Sequence, residues 1–210
     1  GVAGGLKDVS VGDIVIGTDV IGYERGKAKE EFFLRPQFGF ASYELEQKAV
    51  SFANSQKWET QSSKLINKKF HSEIQTLSGT IASGEKVVGS IKAPLYLFLK
   101  KHCSHALAVE MEGLGFLEAC RPYPHIKSLI VRGISDLIDG KEQSDSEDSQ
   151  PYASNNATEF LLGLIDFIGI KQEVETLSIR QKLSEIVTKL YPTGLKDNEI
   201  WRRAGGDLSL

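Results

Sequence analysis

The sequence predicts a layered α/β domain, and three observations predict it. Short apolar runs rich in Ile, Leu and Val alternate with longer stretches whose apolar residues recur at helical spacing. Two of the runs, at 106–112 and 126–136, are continuous rather than alternating, as in strands buried on both faces. Both end in acidic residues, and in open α/β sheets ligands bind beyond the carboxyl ends of the strands.

In chain order, the β-branched run at 12–21 reads as a strand. Leu45, Ala49, Val50, Phe52 and Ala53 share one face of a helix predicted over 43–58, with Ser42 as its N-cap. A strand over 75–82 ends at Ser83-Gly84, and a helix over 90–102 carries Pro94 in its first turn, where proline is tolerated. A helix over 112–120 follows directly from the acidic strand before it. The polar run DGKEQSDSEDSQ at 139–150 predicts a surface loop, ended by Pro151. A helix over 156–170 then buries Phe160, Leu161, Leu164, Ile165, Phe167 and Ile168. A polar linker at 171–176 separates this domain, residues 1–170, from a helical segment at 177–210. That segment opens on a Ser-x-x-Gln capping box at Ser178 and is broken at Tyr191-Pro192. The aromatic residues Phe32, Phe33, Phe38 and Phe40 are expected to pack in the core, the alternative being that they cap an active site or a dimer surface.

Composition narrows the function. A chain of 210 residues with 40% hydrophobic and 25% charged residues builds one substantial soluble core and a small appendage. The net charge of −3 and pI near 5.9 give no dominant footprint for nucleic acid or a membrane surface. Apolar stretches fall short of the roughly 18 residues that span a bilayer, and with Cys103 and Cys120 read as reduced thiols the expected compartment is the cytoplasm. The four histidines show no metal-ligand spacing. The opening GVAGG, with Met111 the only methionine, reads as a sequence cut from a longer one.

The candidate chemistry lies at the two acidic strand ends. Glu112 follows Met111, and Asp136 follows Ser135. A carboxylate accepts hydrogen bonds from both vicinal hydroxyls of a sugar. A departing purine needs a proton on its ring, which a partly buried Asp supplies as general acid, and differing environments set the two carboxyl groups to different roles.

Ala108-Val109-Glu110-Met111-Glu112-Gly113 and Val131-Arg132-Gly133-Ile134-Ser135-Asp136 resemble the two signature segments of the nucleoside phosphorylase/nucleosidase superfamily, closest to its 5′-methylthioadenosine/S-adenosylhomocysteine nucleosidase branch. Gly1-Val2-Ala3-Gly4-Gly5-Leu6 resembles the family's glycine-rich loop on the ribose or phosphate side, and Ile81-Ala82-Ser83-Gly84-Glu85 its base-pocket loop. The resemblance implies a three-layer α/β/α fold with a mixed central sheet, and cleavage of the N-glycosidic bond of a purine nucleoside. It implies that Asp136, oriented by Ser135, protonates the purine N7, and that Glu112 holds the ribose hydroxyls while Met111 packs on the sugar. Glu110, Val2, Ala3 and Gly4 would join the substrate site, and Val87 and Val88 would line the base pocket. Arg132 is either a supporting charge near Asp136 or a structural ion pair. No metal or organic cofactor is implied beyond inorganic phosphate as a co-substrate, and a homo-oligomer is expected by analogy.

The sequence departs from the family at Val87, where an aromatic residue usually stacks on the base, and at Val2, where the nucleosidases have a serine. The first strands, which supply the water-activating acid or the phosphate-binding residues, are expected upstream, so a hydrolase and a phosphate-dependent glycosyltransferase stay equally open. Residues 177–210 resemble the beginning of a bacterial effector-associated adaptor domain, which would recruit a protein partner in a defence system. The alternative to an enzyme is therefore a nucleoside-binding sensor or scaffold with degenerate catalysis.

Overall fold

The computed structural model describes residues 1–67, 69–70, 73–138 and 148–169. The expected linker at 171–176 and helices at 177–210 lie outside the described residues, as do residues 139–147 of the expected loop.

A bent strand organises the domain. β1 (Val2–Gly5) and β2 (Ile14–Gly22) are followed by the short strands β3 (Gly26–Ala28), β4 (Phe32–Leu34) and β5 (Gln37–Phe40). After the helices α1 (Tyr43–Ala53) and α2 (Gln56–Ser62) come β6 (Thr76–Ser83), α3 (Pro94–His102), β7 (Ala108–Glu110), α4 (Gly113–Cys120), β8 (Ile130–Leu137) and α5 (Ser149–Ile168). Six strands form one mixed sheet in the order β5-β2-β6-β7-β1-β8. The first half of β2, Ile14 to Gly17, pairs antiparallel with β8, and its second half, Asp19 to Gly22, pairs antiparallel with β5. The register of β2 against β6 shifts between Gly17 and Val20. Such an irregularity bends a strand, and here the sheet closes on itself through β2 and β8.

Closure explains the continuous apolar runs. Ile14, Val15 and Ile16 on β2 are all buried, as are Ile81 and Ala82 on β6. One face of β2 and β8 packs under α1, α2 and α5 through Phe52, Trp58, Phe160 and Leu164. The ring of Phe52 lies 5.6 Å from Trp58, 5.2 Å from Phe160 and 5.4 Å from Phe167 between centroids. α5 lies so close to β8 that a Cβ on Gly133 would stand 2.0 Å from the Ala153 carbonyl oxygen. A second cluster joins α3 to the end of the sheet through Ile21, Tyr23, Leu99 and Cys103. Among the described residues, no helix is long and apolar enough to cross a membrane.

Several boundaries differ from the sequence reading. The helix expected over 43–58 is two helices, because Ser55 caps a new one by accepting the Trp58 N–H at 3.2 Å. Ser42 occupies the N-cap position of α1 but its hydroxyl accepts the Ser128 N–H at 2.8 Å, so it ties the helix start to the approach of β8. α5 begins at Ser149, with Pro151 inside its first turn; the first four N–H groups of a helix have no intrahelical partner, so proline loses nothing there. The glycine-rich opening is a strand, β1, and β3, β4 and β5 carried no legible signal. Phe32, Phe33, Phe38 and Phe40 are 40, 54, 43 and 70% exposed rather than in the core. β3 and β4 form a separate two-stranded sheet and β5 is an edge strand. Among the described ring contacts, Phe32 meets only the Phe98 ring of α3, at 5.7 Å between centroids, and Phe38 and Phe40 stack on each other at 6.3 Å.

Two measurements check this packing. Phe52→Ala should cost about 3–5 kcal/mol in urea denaturation; a loss under about 1 kcal/mol would rule out the aromatic cluster. Burial also raises the Cys103 thiol above its ordinary value, whereas Cys120 is half-buried. With a thiol reagent at neutral pH, Cys120 should therefore react in the native protein and Cys103 only on unfolding. Fast native labelling of both would contradict the fold.

Candidate active site

β1 lies between β7 and β8, antiparallel to the first and parallel to the second. Gly4 pairs with Val109 on one side and with Asp136 on the other. The ends of β7 and β8, 26 residues apart between Glu110 and Asp136, thereby open onto one cavity of about 280 Å³. Its walls are Val2, Ala3 and Gly4 from β1, the loop residues Lys86, Val87 and Val88, then Glu110, Met111 and Glu112, and finally Ser135 and Asp136. Ten of the eleven residues expected in the site thus line one cavity. The eleventh, Arg132, stands behind it.

The polar groups are held by specific bonds. Ser135 donates its hydroxyl to Asp136 Oδ2 at 2.9 Å. Asp136 Oδ1 faces β1, where a Cβ on Gly4 would lie 3.3 Å away; the glycine leaves room beside that oxygen. Glu112 stands at the N-cap position of α4 without capping it. Glu110 does so instead, accepting the N–H of Gly113 at 2.8 Å and that of Glu112 at 3.1 Å. This satisfies orphan donors at the helix start and sets a negative charge at its positive end. The guanidinium of Arg132 bridges the two glutamates, contacting Glu110 Oε2 and, at 3.0 Å, Glu112 Oε2. Of the two roles open to Arg132, its contacts are those of an ion pair with these glutamates.

The loop between β6 and α3 is fixed from beneath. Gly84 rests on the Tyr23 ring so closely that a Cβ there would come within 2.3 Å of it. Glu24 accepts the Glu85 N–H at 3.0 Å and pairs with Lys86 at 2.6 Å. The Lys86 hydrogen bond, reinforced by the Glu85 N–H, holds the Glu24 carboxyl below its usual range. Val88 is buried under the cavity while Val87 is 72% exposed at its rim. Among the described residues no aromatic ring lines the cavity. The sequence reading missed Lys86, Val109, Ile138 and Gln150, which also line it. Gln150 comes from the first turn of α5, and nothing in a polar run marks which of its residues turns inward.

This geometry coincides with a family match. The profile of the phosphorylase superfamily matches residues 1–166. The chain belongs to that superfamily. It is 28% identical over 167 residues to a 5′-methylthioadenosine/S-adenosylhomocysteine nucleosidase from Staphylococcus haemolyticus, covering 79% of this chain and 67% of the relative. The nucleosidase from Neisseria meningitidis, solved with methylthio-immucillin-A, shares the fold with a TM-score of 0.59 at 24% identity, over 79% of this chain and 66% of that one. Futalosine hydrolase from Helicobacter pylori gives the same TM-score and identity, covering 79% and 65%. The chain spans about two thirds of the length of these relatives.

Tyr23 offers a test of the packing beneath Gly84. Its hydroxyl is buried with no hydrogen-bond partner among the described residues, and desolvation pushes the phenol up to about 12. Removing an unpaired buried hydroxyl is neutral or stabilising, by about 1 kcal/mol. Tyr23→Phe should therefore hold or raise the urea midpoint; a clear drop would mean that the hydroxyl is bonded.

Proposed function

We propose that this chain is the nucleoside-cleaving domain of an enzyme that breaks the N-glycosidic bond of a purine nucleoside. The observation that carries the reading is the convergence of Glu112 and Asp136, with Ser135 and Met111, on one cavity. Its membership in the phosphorylase superfamily and its likeness to nucleosidases support it.

In this reading Glu112 accepts the ribose hydroxyl protons and Met111 packs against the sugar. The C1′–N9 bond breaks, its electron pair moves into the purine, and the proton of the Asp136 carboxyl passes to N7. The base leaves neutral, and an oxygen of water or phosphate closes on C1′ and releases a proton, which restores the Asp136 carboxyl. The Ser135 hydroxyl, donated to Oδ2, restrains rotation of the Asp136 carboxyl. Positive charge that develops on the sugar is favoured by nearby carboxylates already in place. Val2, Ala3 and Gly4 flank the approach of the incoming oxygen, and Val87 and Val88 contact the base by dispersion.

One observation favours the second reading, a nucleoside sensor. With no aromatic ring on the cavity wall among the described residues, the base lacks a stacking surface. The parent protein, incubated with adenosine, inosine or methylthioadenosine with and without phosphate, separates the two. Release of free base that falls by about 10²–10⁴ in Asp136→Asn supports the enzyme. Binding without turnover supports the sensor. Glu112→Gln should weaken nucleoside binding about tenfold or more, the worth of a charged hydrogen bond; unchanged affinity would remove its assigned role.

A further inference from the structure

We propose that Glu110 and Arg132 are positioning residues that hold the Glu112 carboxylate in place for the ribose, an inference that rests on the ribose-binding role of Glu112. The side chain of Glu112 is 70% exposed, and an exposed glutamate ordinarily samples several rotamers. Here one of its oxygens is pinned by Arg132 Nη2 at 3.0 Å. Among the described residues its other oxygen, Oε1, makes no hydrogen bond and is left for hydroxyl donors. Arg132 is in turn anchored by Glu110, whose side chain is only 1% exposed. Glu110 also accepts the backbone N–H of Glu112 itself. Glu112 is thus fixed twice, at its backbone by Glu110 directly and at its carboxylate by Glu110 acting through Arg132.

The sheet is shaped to permit this bridge. Arg132 stands on β8 and Glu110 on β7, with β1 between them. The guanidinium reaches across the approach to β1 at Gly1, where a Cβ would come within 2.0 Å of Arg132 Nη1. A side chain at that position would push the end of the guanidinium aside. The three charges sum to −1, so one net negative charge remains at the cavity for the sugar. A carboxylate aligned before the ligand arrives spends no binding energy on being ordered, and a displacement of about 1 Å at such a group costs about 100-fold in rate.

Removing Glu110 alone strands a half-buried arginine, so the parent protein is tested as Glu110→Gln, as Arg132→Lys, and as Glu110→Gln combined with Arg132→Met, which removes both charges together. Affinity is measured for adenosine, for 2′,3′-dideoxyadenosine and for free adenine, with urea midpoints taken alongside. The expected result is a 10- to 100-fold loss for adenosine with little change for the dideoxynucleoside or adenine, because only the hydroxyl-bearing ligand uses Glu112. Equal losses for all three ligands, or no loss in the folded double variant, would overturn the proposal. Glu112→Gln is the reference: if it too leaves adenosine binding unchanged, the ribose-binding reading itself fails. If Glu112→Gln loses affinity and the other variants do not, only the positioning role fails.

Discussion

The whole site depends on the pairing of β1 with two neighbours at once. Four residues, Val2 to Gly5, bond antiparallel to β7 and parallel to β8. β7 also pairs with β6 and β8 with β2, but only β1 joins the two directly and so sets their acidic ends side by side. Glu110, Glu112 and Asp136 thereby stand around one opening. The small side chains of β1 are part of the same constraint. A larger residue at Gly4 would crowd the Asp136 carboxyl, and one at Gly5 would meet Val9 and Leu137.

Around this strip, charge is distributed by depth. Glu110 is sealed beneath the cavity and fully engaged, while Glu112 stands at its rim. A buried carboxylate is tolerated only when paired and hydrogen-bonded, and Glu110 has both an arginine and the N–H groups that open α4. The same interaction therefore starts a helix, neutralises a buried charge and arranges the rim. Asp136 sits in a different setting, against a hydroxyl and a glycine. Two carboxyl groups facing one ligand from unlike surroundings are suited to unlike tasks.

The β6–α3 loop shows how one wall of the cavity is made from elements distant in sequence. Tyr23 and Glu24 follow β2, yet they form the floor and the clamp of residues 84–86. No local pattern reveals this, because the loop itself reads as a simple Ser-Gly-Glu turn. The exposed phenylalanines of β4 and β5 mislead for a related reason. Hydrophobicity marks residues that tend to be covered, but whether a second layer exists to cover them is decided by where each strand lies in the sheet.

The sequence by itself determined the element types with strong periodicity, the β2, β6, β7 and β8 strands and the helices that flank them. It also marked Glu112, Ser135 and Asp136, since acidic residues that end buried runs stand out against their apolar neighbours. Only the tertiary structure decided that the sheet closes through β2 and β8, that the glycine-rich opening is a strand, and that Arg132 serves the glutamates. It alone brought Lys86 and Gln150 to the cavity. The physical reason is range: side-chain period and capping act within a few residues, whereas the ion pairs of Arg132 join residues about twenty positions apart and the pairing of β8 with β1 and β2 joins segments more than a hundred apart, and their meeting depends on the register of the whole sheet.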